Sequence, residues 1–212
     1  MMFENDKMEQ ETWSESVERF RKVFTFTIER VKEIELEGYG SFEFSKPESI
    51  ESLQALEVYI GFSIPNSLKD FWLTQGSLRI GTRGHRTAFE VYCVRNGQSM
   101  TFKKFWELID VELTSLLGEF LSISEIAELN QNYFVFGEIF LGDSNREYLY
   151  FTKYGSFGTL VIYHDDDSGL IGLRQMIAGK GNFFTSLDEL FSYCMNLKID
   201  RIYEWMKDHD AL

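Results

Sequence analysis

The sequence predicts an α+β fold with helices and sheet in separate layers, and three observations predict it. Helical periodicity fills the first third of the chain, strand-like runs divided by turn formers fill much of the second half, and a helical pattern closes it. That order of helices, strands and helix is not a βαβ alternation. The 212 residues are 44% hydrophobic and include 20 Phe and 10 Tyr, which suffices for a core without metal or disulfide and rules out a disordered chain. With only 2 Pro and no low-complexity tract, nothing marks a flexible linker. One domain is expected over residues 1–212, with 1–44 as an N-terminal helical arm packed on it.

The elements follow in order. Trp13, Val17, Phe20, Phe24, Ile28 and Val31 recur at spacings of three and four and give one apolar helix face, predicted from Thr12 to Ile34. Gly38-Tyr39-Gly40 ends it, and Ser41–Phe44 is extended. Pro47 restricts Lys46 and is expected to open a second helix that buries Ile50, Leu53, Leu56 and Ile60 and stops at Gly61. Pro65 suits the first turn of a third helix and Gly76 the left-handed position past its end, with Leu68, Phe71 and Trp72 facing inward.

The period then becomes that of strands at Leu78–Ile80 and Ala88–Val94, around a polar loop containing Arg83, His85 and Arg86. Phe105, Ile109, Leu113, Leu116 and Leu117 return to helical spacing. Ser122 and Glu125 form a capping box for a short helix through Leu129. Four strands are expected next, at Tyr133–Leu141, Glu147–Lys153, Thr159–His164 and Leu170–Ile177, and their short turn-rich separators favour an antiparallel meander. A second capping box, Ser186 and Glu189, begins a last helix that buries Leu187, Leu190, Phe191, Cys194 and Leu197.

Charge narrows the function classes. Twenty-one Lys and Arg against 34 Asp and Glu leave a net charge of −13, which disfavours nucleic acid and anionic membrane and favours a basic protein or a cationic ligand. Acids near the N-terminus and the lack of an apolar run there argue against a signal peptide, so a cytoplasmic location is expected. Cys93 and Cys194 fall in apolar runs and are expected to be free, buried thiols.

No catalytic, cofactor or metal motif is present. His85, His164 and His209 lack ligand spacing, and Gly179-Lys180-Gly181 lacks the rest of a phosphate loop. The basic stretch Arg79–Arg86 is a solvated loop or an anion site. His164 with Asp165, Asp166 and Asp167 is a local His–carboxylate cluster; it is either a solvated turn or a site for a cation, acid–base chemistry or a partner. As a turn projecting from the sheet, Asp165–Asp167 with His164 and Tyr163 is the expected partner-binding surface, able to steer and bond a basic partner.

One run carries a family resemblance. Glu57-Val58-Tyr59-Ile60-Gly61-Phe62-Ser63-Ile64-Pro65, followed by Leu68, Phe71-Trp72 and Gln75-Gly76, resembles the signature of the SUKH superfamily, which includes fungal cell-wall assembly regulators of the Smi–Knr type and bacterial toxin-immunity proteins. Phe136-Gly137, Gly142-Asp143, Tyr148-Leu149-Tyr150, Gly158–Val161, His164-Asp165 and Thr185–Leu190 extend the likeness over roughly residues 45–200. The resemblance implies a twisted antiparallel sheet of about six strands with helices packed mainly on one side. It also implies a binding role without enzymatic activity or cofactor, most often neutralisation of a toxin such as a basic nuclease. Glu57, Gly61, Pro65, Phe71, Trp72 and Gly76 are expected to serve the fold. A regulatory scaffold, and an enzyme built on His164–Asp167, are the competing readings.

Overall fold

The computed structural model describes residues 13–36, 40–82, 87–92, 94, 105, 121–142, 145–163 and 168–194. Among them are six helices, α1 (Trp13–Leu36), α2 (Ile50–Ile60), α3 (Asn66–Thr74), α4 (Ile123–Asn132), α5 (Ser168–Ile177) and α6 (Leu187–Tyr193). The strands are β1 (Gly40–Phe44), β2 (Leu78–Thr82), β3 (Thr87–Val91), β4 (Tyr133–Gly142), β5 (Asn145–Thr152), β6 (Phe157–Ile162) and β7 (Asn182–Phe184). All seven join one sheet in chain order, and every pairing is antiparallel. The fold is α+β, as the order of patterns predicts.

Alternation along the central strands builds two cores. Leu149 and Phe151 of β5 point to one face with Phe136, Ile139 and Phe157. There they meet Phe20 and Phe24 of α1, Leu53 and Leu56 of α2, Phe71 and Trp72 of α3, and Leu190 and Phe191 of α6. Tyr148 and Tyr150 point to the other face with Tyr133, Leu160 and Ile162, where Leu129 of α4 and Leu170, Leu173 and Met176 of α5 cover them. Four helices thus share one face and two cover the opposite face of β4–β6. The cause lies in β5, whose side chains alternate between the faces while those of Tyr148–Phe151 are all apolar and buried, so neither face can be left to water.

Helix α1 is held by more than its apolar stripe. The Arg21 guanidinium forks onto the Asp70 carboxylate at 2.9 and 3.2 Å, and Arg19 Nε donates to Asp188 Oδ2 at 2.7 Å. These pairs tie α1 to α3 and α6, and its companion β1 forms an edge of the sheet beside β2.

Several predicted elements differ. Leu170–Ile177 is not a strand but lies within helix α5. Its apolar residues fit both periods over so short a run, and burial of Leu170, Leu173 and Met176 on one stripe against β6 decides for the helix. Pro47 does not open α2; Ser49 caps it, accepting the Ser52 N–H at 3.1 Å. Ile50 is exposed rather than buried. Strand β6 spans Phe157–Ile162, earlier than expected, and Lys153 lies in the turn after β5. The short strand β7 is an addition. The capping box of α4 is complete, with both reciprocal bonds. At α6 only half forms: Ser186 accepts the Glu189 N–H, whereas the Glu189 carboxylate bonds the Thr185 N–H and hydroxyl, each at 2.8 Å.

Candidate functional site

Each of the six positions of the helix-pair motif has a defined place in the fold. Gly61 closes α2 at φ +84°, with its N–H on the Glu57 carbonyl. Glu57 reaches across the bend: its Oε1 accepts the Ile64 N–H at 2.8 Å and Lys69 Nζ at 2.6 Å. The bend is thus braced by a carboxylate that takes a backbone donor left over before α3. Pro65 is the N-cap of α3 rather than its first helical residue, and its carbonyl accepts from Leu68 and Lys69. Phe71 and Trp72 are buried, and Trp72 Nε1 donates to the Tyr92 carbonyl at 2.9 Å. Gly76 sits at φ +81°, two residues past α3. Glu57→Ala is expected to cost about 1–3 kcal/mol by stranding the Ile64 N–H, and Glu57→Gln, which keeps the acceptor, clearly less; urea denaturation of the pair checks this.

Of the expected partner-binding residues, Tyr163 is 42% exposed just past the end of β6. His164, Asp165, Asp166 and Asp167 lie outside the described residues, as do Arg83, His85, Arg86, Cys93, Leu197 and His209. Cys194 is buried.

Between β6 and α5 the structure forms a cleft of about 380 Å³. Glu147, Thr159, Val161 and Tyr193 form part of its lining, with Ser168 and Ile171 on the α5 side. The Tyr193 hydroxyl donates to Glu147 Oε1 at 2.8 Å, and Asn182 Nδ2 to Thr159 Oγ1 at 3.1 Å. Burial and the neighbouring Glu147 push the Tyr193 phenol well above its ordinary value, so it remains a donor at any physiological pH. Ile171 is 54% exposed at the rim. Glu147 is fully buried, so the cleft offers hydrogen-bonding groups beside an apolar edge.

A second constellation spans the sheet. Register places Glu43 opposite Arg79, Arg79 opposite Glu90, Glu90 opposite Glu138 and Glu138 opposite Tyr148. Arg146 donates to Glu138 Oε1 at 2.8 Å, and Tyr92 also hydrogen-bonds Glu138. Burial, and then the Glu138 charge, push the Glu90 carboxyl above its ordinary 4.5, with Arg79 opposing. Sequence reasoning missed this pair. The available signal was one charge inside each of two apolar runs, Phe89-Glu90-Val91 and Gly137-Glu138-Ile139.

The sign of the Glu90 shift gives a pH prediction. A folded value above the unfolded one means that stability is full below about pH 4.5 and falls as pH rises through the folded value. Glu90→Gln removes that loss. Its Tm is expected to exceed the parent's at pH 8, and the gap should close towards pH 4. A variant less stable than the parent at pH 8 would mean that the pairing with Arg79 outweighs desolvation.

Among the described residues, no group of three or more His, Cys, Asp or Glu side chains could hold a metal ion, and no helix is long and apolar enough to cross a membrane. No family model, curated protein or solved structure matches the chain.

Proposed function

We propose that the chain is a non-enzymatic protein-binding module that engages a basic partner in a one-to-one complex. The observation that carries this reading is the cleft between β6 and α5, with exposed Ile171 at its rim, on a chain of net charge −13. The apolar rim suits a protein surface, and the overall charge speeds encounter with one that bears Lys or Arg. The SUKH resemblance supplies the finer reading. The partner is then a toxin domain, the chain its cytoplasmic immunity protein, and Asp165, Asp166, Asp167, His164 and Tyr163 part of the contact.

Capture of a tagged copy from its native lysate tests the coarser statement. A basic protein recovered in a one-to-one ratio supports it. A set of signalling proteins favours a regulatory scaffold instead, and recovery of no protein partner overturns it. With the partner in hand, replacing Asp165, Asp166 and Asp167 together by Asn tests the finer one. The association rate is expected to fall about threefold to tenfold at low salt, its salt dependence to flatten and the Tm to change little. Unchanged association at two salt concentrations would remove the turn from the interface.

The Glu90–Glu138 pair favours one second reading. Two carboxylates in unlike environments, one raised by burial and one bonded to Arg146, are how folds separate a general acid from a general base. Loss of a catalysed reaction in Glu90→Gln, with partner binding intact, is the outcome that would select it.

A further inference from the structure

We infer that the outer edge of β6 is a strand-addition site for an extended segment of the partner, one that alternates a cationic with an apolar side chain. The inference rests on the protein-binding reading and deepens it by stating how the partner is held.

The edge is built by an early departure of the chain. Strand β6 pairs with β5 over Arg146–Phe151 along its whole length, Phe157 to Ile162. On its other side β7 pairs only with Phe157, Gly158 and Thr159. The residues just before β7 cannot extend that ladder, because they cap α5: Gly179 N–H bonds the Met176 carbonyl at 2.9 Å and Lys180 N–H the Gln175 carbonyl at 2.8 Å, a C-terminal cap of the Schellman kind. Among the described residues no strand therefore reaches the outward N–H and C=O groups of Leu160–Ile162. The cleft opens at this place, lined by Leu160 and Val161.

Edges of this kind are ordinarily guarded by a charge, a proline or a bulge. Leu160-Val161-Ile162 carries no charge or proline, and its register with β5 is unbroken. Exposed backbone polar groups beside apolar side chains are what an added strand satisfies.

Period two dictates what that strand must carry. Val161 is the register partner of Glu147, and Tyr193 bonds Glu147 on that face. Glu147 itself is fully buried, so a residue added opposite Val161 projects beside the Tyr193 ring, where Lys or Arg suits both the aromatic face and a chain of net charge −13. The residues on either side of it project to the other face, towards α5, where Ile171 stands half exposed at the rim. Gly172 brings α5 close to β6, since a Cβ there would lie 2.7 Å from Leu160 Cδ1, so an added aliphatic or aromatic side chain packs on Ile171 at the rim and not between the two elements. A second copy of this chain is a poor occupant, because two chains of charge −13 repel.

The test uses random twelve-residue peptides displayed on phage, panned against the full chain, with the strongest binder then synthesised. The expected binder alternates apolar residues with a Lys or Arg. Its binding slows amide exchange in the segment 157–163, and Ile171→Asp, at an exposed position, weakens it about tenfold without lowering the Tm. Absence of enriched peptides, slowed exchange elsewhere with none at 157–163, or binding unaffected by Ile171→Asp overturns the inference. The two readings fail separately. A native partner that leaves exchange at 157–163 unchanged removes the edge and keeps the protein-binding module. A peptide seated on the edge with no native protein recovered in a one-to-one ratio does the reverse.

Discussion

Gly76→Val is expected to lower stability by about 2–6 kcal/mol, because two separate costs meet at one position. The backbone there has φ +81°, a region that a β-branched residue enters only under strain. A Cβ would also run into the Lys46 carbonyl oxygen and the Ser45 hydroxyl. These neighbours cannot readily yield. Ser45 Oγ accepts the Ser77 N–H at 2.7 Å, Ser45 N–H bonds the Ser77 carbonyl at 3.1 Å, and Glu48 N–H bonds the Trp72 carbonyl at 2.8 Å. The link between β1 and α2 is therefore strapped over the end of α3, and only glycine leaves it room. Gly61→Val is the control, since Gly61 has φ +84° but nothing within 4 Å of its would-be Cβ. It should lose only the conformational part, about 1–3 kcal/mol. Urea midpoints for the two variants measure the difference, and equal losses would mean that the strap moves aside.

Phe191→Ala is expected to cost about 3–5 kcal/mol. The Phe191 ring lies 5.3 Å from Phe20, 6.0 Å from Phe71, 5.8 Å from Phe89 and 6.4 Å from Phe24, centre to centre. It therefore joins α6 to α1, α3 and the sheet at a single point, in edge-on and tilted geometries that aromatic quadrupoles favour. Removing it opens a cavity walled by rings from three elements, α1, α3 and β3, none of which can collapse without dragging its backbone. Phe191→Leu, which refills most of the volume, should recover over half of the loss. The same urea series checks both, and a loss under about 1.5 kcal/mol for the alanine variant would show that α6 repacks freely.

Both predictions use residues that local pattern already identified, whereas the cleft and the carboxylate pair do not. Gly61, Pro65 and Gly76 are legible because their roles are conformational and depend on the two or three residues around them. Phe20, Phe24, Phe71 and Phe191 are legible as core because helical spacing puts them on one stripe. The strands β4, β5 and β6 announce themselves by alternation between turn formers, and the Ser122–Glu125 cap by its own spacing. From such local signals the sequence by itself determined the α+β class, the helix pair and its bend, and the antiparallel meander. Only the tertiary structure decided the rest. Gly169-Leu170-Ile171-Gly172-Leu173 satisfies strand and helix periods alike, and the apolar face of β6 selected the helix by burying Leu170 and Leu173 together. Glu90 and Glu138 became neighbours through the β3–β4 register, which no local spacing encodes. Strand β7 pairs only with Phe157, Gly158 and Thr159 of β6 because Gly179 and Lys180 cap α5 just before it. The physical reason is common to all three: burial and strand register are free energies of long-range contact, and they appear only when segments far apart in the chain compete for the same face.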